Sequence, residues 1–146
     1  MKIIPATIDN LEKLLPVFEG YRKFYQQASN TEVASKFSSN RFNKKDSVIF
    51  ISYDDNEVTH GFTQLYPSFS SVSMQHTFIL NDLFVHPNYR GKRIGKALMN
   101  HAKKFALKEN SKGLTPETSI YNPAQRLYES LDWKKDTDEF HYTWEA

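Results

Sequence analysis

One run of residues limits the folds open to this chain more than any other: ILNDLFVHPNYRGKRIGKAL, from Ile79 to Leu98. It passes from an apolar strand ending at Val85, through a His86-Pro87-Asn88 corner, into Arg90-Gly91-Lys92-Arg93-Ile94-Gly95 and then an amphipathic helix. First-turn amides of a helix have no intrahelical acceptor, so they attract anions. Gly91 and Gly95 let the backbone approach a diphosphate closely, while Arg90, Lys92, Arg93 and Lys96 add positive charge around it. The run therefore predicts a strand-to-helix cradle for a phosphorylated ligand.

Composition narrows the setting. A chain of 146 residues, 39% of them hydrophobic, has the size of a single domain with a real core, expected to span residues 1–146. The formal charge is only +2, so the basic residues matter around the Arg90 turn rather than as a broad face, and nucleic acid is not an expected partner. The absence of cysteine excludes disulfides, thiolate zinc sites and a cysteine nucleophile, and the 5 histidines are scattered singly with no metal-ligand spacing. No run approaches the length of a membrane span, and Met1-Lys2-Ile3-Ile4-Pro5 is too quickly interrupted for a signal peptide. No membrane association is expected, and the default location is cytoplasmic.

Periodicity orders the rest. Lys2 to Ala6 reads as a short strand, after which Thr7 or Asp9 can cap a helix carrying Leu11, Leu14, Leu15, Phe18, Tyr21 and Tyr25, with Pro16 a point of kinking or division. Thr31 to Phe42 reads as a second helix. Val48 to Tyr53 and Val58 to Tyr66, separated by Asp54-Asp55-Asn56, form an antiparallel hairpin; Pro67 to Ser73 is a serine-rich loop, and Gln75 to Val85 returns to strand. The helix opening at Gly91 buries Ile94, Leu98, Ala102, Phe105 and Ala106, and Leu114 to Ile120 is a strand. Pro123 suits the first turn of a short helix containing Ala124, Leu127, Tyr128 and Leu131. Trp133 to Lys135 and Phe140 to Trp144 read as two final strands, the second able to pair at its edge with another subunit, so a homodimer is within reach.

Two motifs carry a family resemblance. LFVHPNYRGKRIGKAL pairs a strand and a Val-x-Pro corner with Arg90 and Gly95 at the outer positions of an Arg/Gln-x-x-Gly-x-Gly/Ala turn, and AQRLYESLDW, from Ala124 to Trp133, is similar to Ala-x-x-Leu-Tyr-x-x-x-Gly-Phe/Trp. With the element order, these residues resemble the GNAT superfamily of acetyl-CoA-dependent N-acetyltransferases over nearly the whole chain. Arg93 replaces the turn's middle glycine, a departure tolerated if it takes an ordinary helical conformation, and Asp132 replaces the glycine after the tyrosine helix. Asn122 lies six residues before Tyr128, where the family commonly has an asparagine seven before. The fold implied is α+β: a mixed, mostly antiparallel sheet of about seven strands flanked by about four helices, in the order βααβββαβαββ.

The resemblance also implies roles. Phe84 and Val85 would offer backbone amides to the pantetheine and the thioester oxygen, Gly91 to Lys96 (with Lys92, Arg93, Ile94 and Gly95 between) would hold the diphosphate beside Arg90, and Asn122 would join the acetyl-CoA site. Tyr128 would be the general acid that protonates the leaving thiolate. Asp82 either takes a proton from the acceptor ammonium, binds that cation, or serves as a structural carboxylate. Tyr21, Phe24, Tyr25 and Tyr66 border the acceptor side, where aromatic rings can box an ammonium or simply fill the core, and His76 is a further pocket candidate. Tyr21-x-x-Phe24-Tyr25, Leu65 to Ser71 and Asn81 to Val85 look like a subgroup in which small amines and amino acids rank above large folded proteins as acceptors. Acetylation of a protein N-terminus or lysine, and a CoA-binding sensor without turnover, are the alternatives.

Overall fold

Alternation in the strands puts a core on each face of the sheet. In the computed structural model, which describes residues 1–146, β2 (Val48–Tyr53) turns Ile49 and Ile51 towards one side and Phe50 towards the other. Ile49 and Ile51 meet Leu14, Val17 and Phe18 of α1 (Leu11–Phe24) and Ala34 of α2 (Thr31–Lys44). Phe50 meets Ile94, Leu98, Met99, Ala102 and Ala106 of α3 (Ile94–Lys108), one face of a helix read at i, i+4, i+5, i+8 and i+12. Each fully buried side chain such as Leu98 contributes about 1.5–3 kcal/mol relative to exposure.

The sheet contains β1 (Lys2–Pro5), β2, β3 (Thr59–Ser70), β4 (Gln75–Val85) and β5 (Leu114–Pro116), in that spatial order, antiparallel except for the parallel pair β4–β5. A final helix, α4 (Ala124–Ser130), follows with Pro123 at its N-cap. The architecture is mixed α+β with one mostly antiparallel sheet of 5 strands and four helices, α1 to α4. The expected order holds through α4, but the expected seven strands do not form: Trp133 to Lys135 and Phe140 to Trp144 are not paired as strands.

Other boundaries also move, each for a local reason. Pro16 lies inside α1 without dividing it. β3 runs on through Pro67 to Ser70 where a loop was expected; β2 pairs only as far as Leu65, so Pro67 occupies an edge where its missing N–H disrupts no ladder. The third helix starts at Ile94, not Gly91, because Gly91 (φ 77°) and Arg93 (φ 61°) are both left-handed. β5 stops at Pro116 rather than Ile120.

Two irregularities coincide near the middle of β4. Leu65 pairs with Leu80 and Gln64 with Asp82, leaving Asn81 as an extra residue in a bulge. On its other edge β4 pairs with β5 only from Phe78 to Leu80. From Asn81 to Val85 that edge of β4 has no strand neighbour, which leaves backbone groups free to meet a ligand.

Candidate active site

The open edge leads directly into the turn before α3. His86 caps a short 3-10 turn over Pro87–Tyr89, its Nδ1 accepting from the Asn88 amide at 3.3 Å. Arg90 Nε donates to the Val85 carbonyl at 2.9 Å, and its guanidinium lies 5.7 Å from the Phe84 ring centroid and 6.0 Å from that of Phe24. Arg90 thus clasps the turn as well as charging it. A Cβ on Gly91 would meet nothing within 4 Å, so the backbone there faces open space. A Cβ on Gly95 would come within 3.2 Å of Leu127, which explains how closely α4 approaches the first turn of α3. Val85, Arg90, Gly91, Arg93, Gly95 and Lys96 line one concavity of about 330 Å³, with Tyr89, Ile94 and Leu127 completing its wall. Lys92 stands at the rim with its Nζ 5.3 Å from the Tyr89 ring centroid, and Tyr89 in turn stacks on His60 at 4.0 Å.

Arg93 does not take the ordinary helical conformation on which its tolerance in place of glycine was conditional. It is the left-handed N-cap of α3, a conformation that costs a non-glycine residue about 1–2 kcal/mol. Arg93 lines the concavity with Ile94, Gly95 and Lys96 of the first helical turn and adds positive charge there.

Backbone alternation decides which β4 amides are available. The His86 amide donates to the His60 carbonyl at 2.8 Å, and antiparallel pairing repeats every second residue. The amide of Phe84 therefore faces β3, while those of Leu83 and Val85 face the open edge. The pair available to a ligand is Leu83 and Val85, rather than Phe84 and Val85; Leu83 was missed because sequence gives no sign of which amides a ladder consumes. The Phe84 ring goes to the opposite face, where it packs against α1 so tightly that a Cβ on Gly20 would lie 2.9 Å from it.

From α4, Tyr128 packs its ring 5.7 Å from that of Trp133, and its hydroxyl makes no hydrogen bond within the protein. Burial, helped by the neighbouring Tyr25, pushes its pKa up, so the phenol stays protonated at neutral pH. Tyr25 comes from the end of α1 and reaches across the open edge, where the Asn122 side-chain amide donates to its hydroxyl at 3.5 Å. Asn122 Oδ1 accepts from the Ala124 amide at 2.9 Å, so this residue closes a turn just before α4 and does not line the cradle.

The expected acceptor residues gather on the α1 side of the bulge. Asp82 is 4% exposed; Gln64 Nε2 donates to its Oδ2 and Asn81 Nδ2 to its Oδ1 at 3.0 Å. Burial raises its pKa in spite of hydrogen bonds from Gln64, Tyr21 and Asn81 that pull the other way. The one hydroxyl proton of Tyr21 is directed to the Asn81 carbonyl at 3.3 Å, with Asp82 beside it, and burial together with Asp82 raises the Tyr21 pKa strongly. Tyr66 stands close enough to feel the same carboxylate and is pushed up to about 12, mainly by burial. Tyr21, Tyr25 and Phe24 form an edge-to-face chain, with centroids 5.0 Å apart for Tyr21–Tyr25 and 5.2 Å for Phe24–Tyr25. Gln64, 1% exposed, was not singled out from sequence; a glutamine in a strand opposite Asp82 acquires meaning only through the register. His76 does not join this group: its Nε2 lies 2.7 Å from the Glu109 carbonyl at the far end of α3.

No group of histidine and acidic side chains is arranged to hold a metal ion, and no helix is long and apolar enough to cross a membrane. Comparison with known proteins gives the family. Residues 45–135, which contain the open edge, the cradle and α4, match the model of the acetyltransferase (GNAT) domain. The chain is 43% identical over 143 residues to the uncharacterized N-acetyltransferase YhfO of Bacillus subtilis (strain 168), covering 97% of this chain and 95% of that protein. It is 36% identical to a probable acetyltransferase of Haemophilus influenzae, over 88% of this chain and 97% of the relative. The crystal structure of a probable acetyltransferase, 37% identical, superposes with a TM-score of 0.94 over 100% of this chain and 98% of its own. The chain therefore belongs to the GNAT family of acetyltransferases.

Proposed function

We propose that the protein transfers the acetyl group of acetyl-CoA directly to the primary amine of a small molecule such as an amino acid. The observation that carries this reading is the convergence of three elements on one open strand edge: the α3 cradle, the α4 tyrosine and the α1 aromatics. The cradle fits a diphosphate, with left-handed Gly91 leaving open space where a side chain would stand and Lys92, Arg93 and Lys96 around it. Acetyl-CoA supplies the activated thioester. The amides of Leu83 and Val85 polarise its oxygen, in place of donors that water would otherwise provide. Tyr128 delivers a proton to the departing sulfur, a role suited to a phenol held protonated by burial.

On the acceptor side, Tyr21 and Tyr66 enclose the buried Asp82. Asp82 favours an approaching cation, while the amine loses its proton to water before attack. Asn122 holds Tyr25 against α4, closing the edge behind a bound donor. An enclosed cluster of hydroxyls around one carboxylate suits a small amine better than a folded protein.

Two measurements test the reading. Acetyl-CoA should raise the melting temperature, and thiol release across a panel of amines, including both enantiomers of amino acids, should identify a turned-over acceptor. Tyr128→Phe should then lower kcat by about a hundredfold with little change in the KM for acetyl-CoA. Wild-type turnover in that variant, when chemistry limits the rate, removes the acid role; no melting shift with CoA or acetyl-CoA removes the whole reading.

A further inference from the structure

The α1 side of the sheet changes chemistry in a single step. Phe62 of β3 stands opposite Phe84 of β4, and the next position on the same side of each strand pairs Gln64 with Asp82. The first pair is core. The second sets a buried amide against a buried carboxyl, in a place where burial favours apolar side chains.

Asp82 forms no ion pair, and the arginines of the two helices on this side are committed elsewhere. Arg22 of α1 pairs with Glu19 at 2.9 Å, and Arg41 of α2 pairs with Asp46 at 3.1 Å, the latter two acting on Tyr66 with opposite signs. The groups that face the carboxyl itself are neutral: Gln64 and Tyr66 from β3, Asn81 beside it on β4 and Tyr21 from α1. A buried carboxylate without a cation is driven to take up a proton. Burial pushes the Asp82 pKa up in this way, and among the hydrogen bonds that oppose it the one from Gln64 counts most.

The Gln64 amide is set for the charged form. Its Nε2 donates to Asp82 Oδ2, while its Oε1 is buried with no partner. A protonated Asp82 could donate to that Oε1 if the amide turned over, so Gln64 can meet either state. The two states are not matched equally, because a hydrogen bond to an ionised acceptor is about twice as strong as a neutral one. Thr63 Oγ1 donates to the Asp82 carbonyl at 2.8 Å, which fixes the backbone beside the bulge and keeps amide and carboxyl in register.

We propose that Gln64 is a positioning residue of the acceptor site, whose amide keeps the Asp82 carboxyl ionised and so available to an ammonium. The acceptor half of this inference rests on the small-amine reading; the hold of Gln64 on the Asp82 proton does not. Without Gln64 the carboxyl has Asn81 as its one remaining amide donor. It then keeps its proton to higher pH, and a cationic amine binds more weakly wherever that proton remains. Once pH has passed both titrations the carboxyl is ionised with or without Gln64, and the difference disappears.

The side-chain carbon NMR resonance of Asp82 reports this protonation in the substrate-free protein, independently of turnover. Its titration midpoint should rise by about one pH unit in Gln64→Leu. Gln64→Glu keeps the shape and covers a leucine variant that does not fold. Two facing carboxyls share a proton tightly, so the pair should release its last proton at higher pH than Asp82 does in the parent. With a turned-over amine, the ratio of acceptor KM between Gln64→Leu and the parent cancels the titration of the amine itself. That ratio should be about tenfold on the acid side and fall towards one as pH rises, with kcat within about twofold and the Kd for CoA unchanged. An Asp82 midpoint that stays in place in both variants overturns the proposal. So does a KM ratio that is the same at every pH, the mark of a glutamine that only fills space.

Discussion

The donor and acceptor halves of the candidate site are built in opposite ways. The donor cradle is contiguous: Val85 to Lys96 supply the strand end, the corner, the left-handed residues and the first turn of α3. In the proposed reading its recognition is mostly backbone. The acceptor cluster draws Tyr21 and Tyr25 from α1, Gln64 and Tyr66 from β3, and Asp82 from β4, and its chemistry lies in side-chain hydroxyls around one buried carboxylate. A backbone site tolerates many side chains but few changes of conformation, whereas a side-chain cluster tolerates backbone drift but not a change of functional group.

Three substitutions separate these behaviours. Gly91→Val attacks conformation: a β-branched residue at φ 77° costs about 1–2 kcal/mol and fills the open space of the cradle. The Kd for CoA measured by calorimetry should rise about tenfold or more. Unchanged affinity would show that the ligand does not touch this turn.

Asp82→Asn attacks function without changing shape. Because burial raises the Asp82 pKa, the folded chain holds this proton more tightly than the unfolded chain. The associated stability is fully present below the unfolded value near pH 4 and is lost as pH rises through the higher folded value. Asparagine carries no such charge, and the unpartnered Gln64 Oε1 can accept from its amide. Melts of the two proteins should therefore nearly coincide around pH 4 and diverge at pH 8, with the variant about 1 kcal/mol more stable there. Acceptor turnover should fall while CoA affinity stays constant. A parent that loses no stability relative to the variant as pH rises contradicts a carboxyl whose pKa is raised by burial.

The smallest effect is expected at Arg93. Arg93→Gly relieves the left-handed strain but frees the unfolded chain, for a net gain of about 0.5 kcal/mol. The melting temperature should rise slightly while CoA binding weakens by about twofold through loss of one charge. Tighter CoA binding in this variant would mean that the arginine obstructs the cradle rather than assisting it.

The contrast also explains how much could be read in advance. The cradle was legible because its parts are neighbours in sequence: strand pattern, Pro87, two glycines and helical periodicity follow one another in a single run. Even there, the left-handed state of Arg93 was not, since nothing in the residue type favours it. For the acceptor side, Tyr21, Tyr66 and Asp82 were identifiable as a group only through family resemblance, and Gln64 not at all, because its meaning comes from facing Asp82 across the bulge. The segment from Trp133 to Trp144 was readable as strand-like, yet alternation specifies a face to bury and not the edge that buries it.

Sequence by itself determined what depends on near neighbours: the helices, the central strands, the glycine turn and the tyrosine that follows Pro123. Tertiary structure decided what depends on distant pairing. It parted β4 from β5 after Leu80, chose Leu83 and Val85 as the free amides, buried Asp82 against Gln64, and left residues 133–146 outside the sheet. The physical reason is common to all four. Local conformational preference acts within a few residues, while ladder pairing, burial and desolvation are set by groups that the chain brings together only on folding.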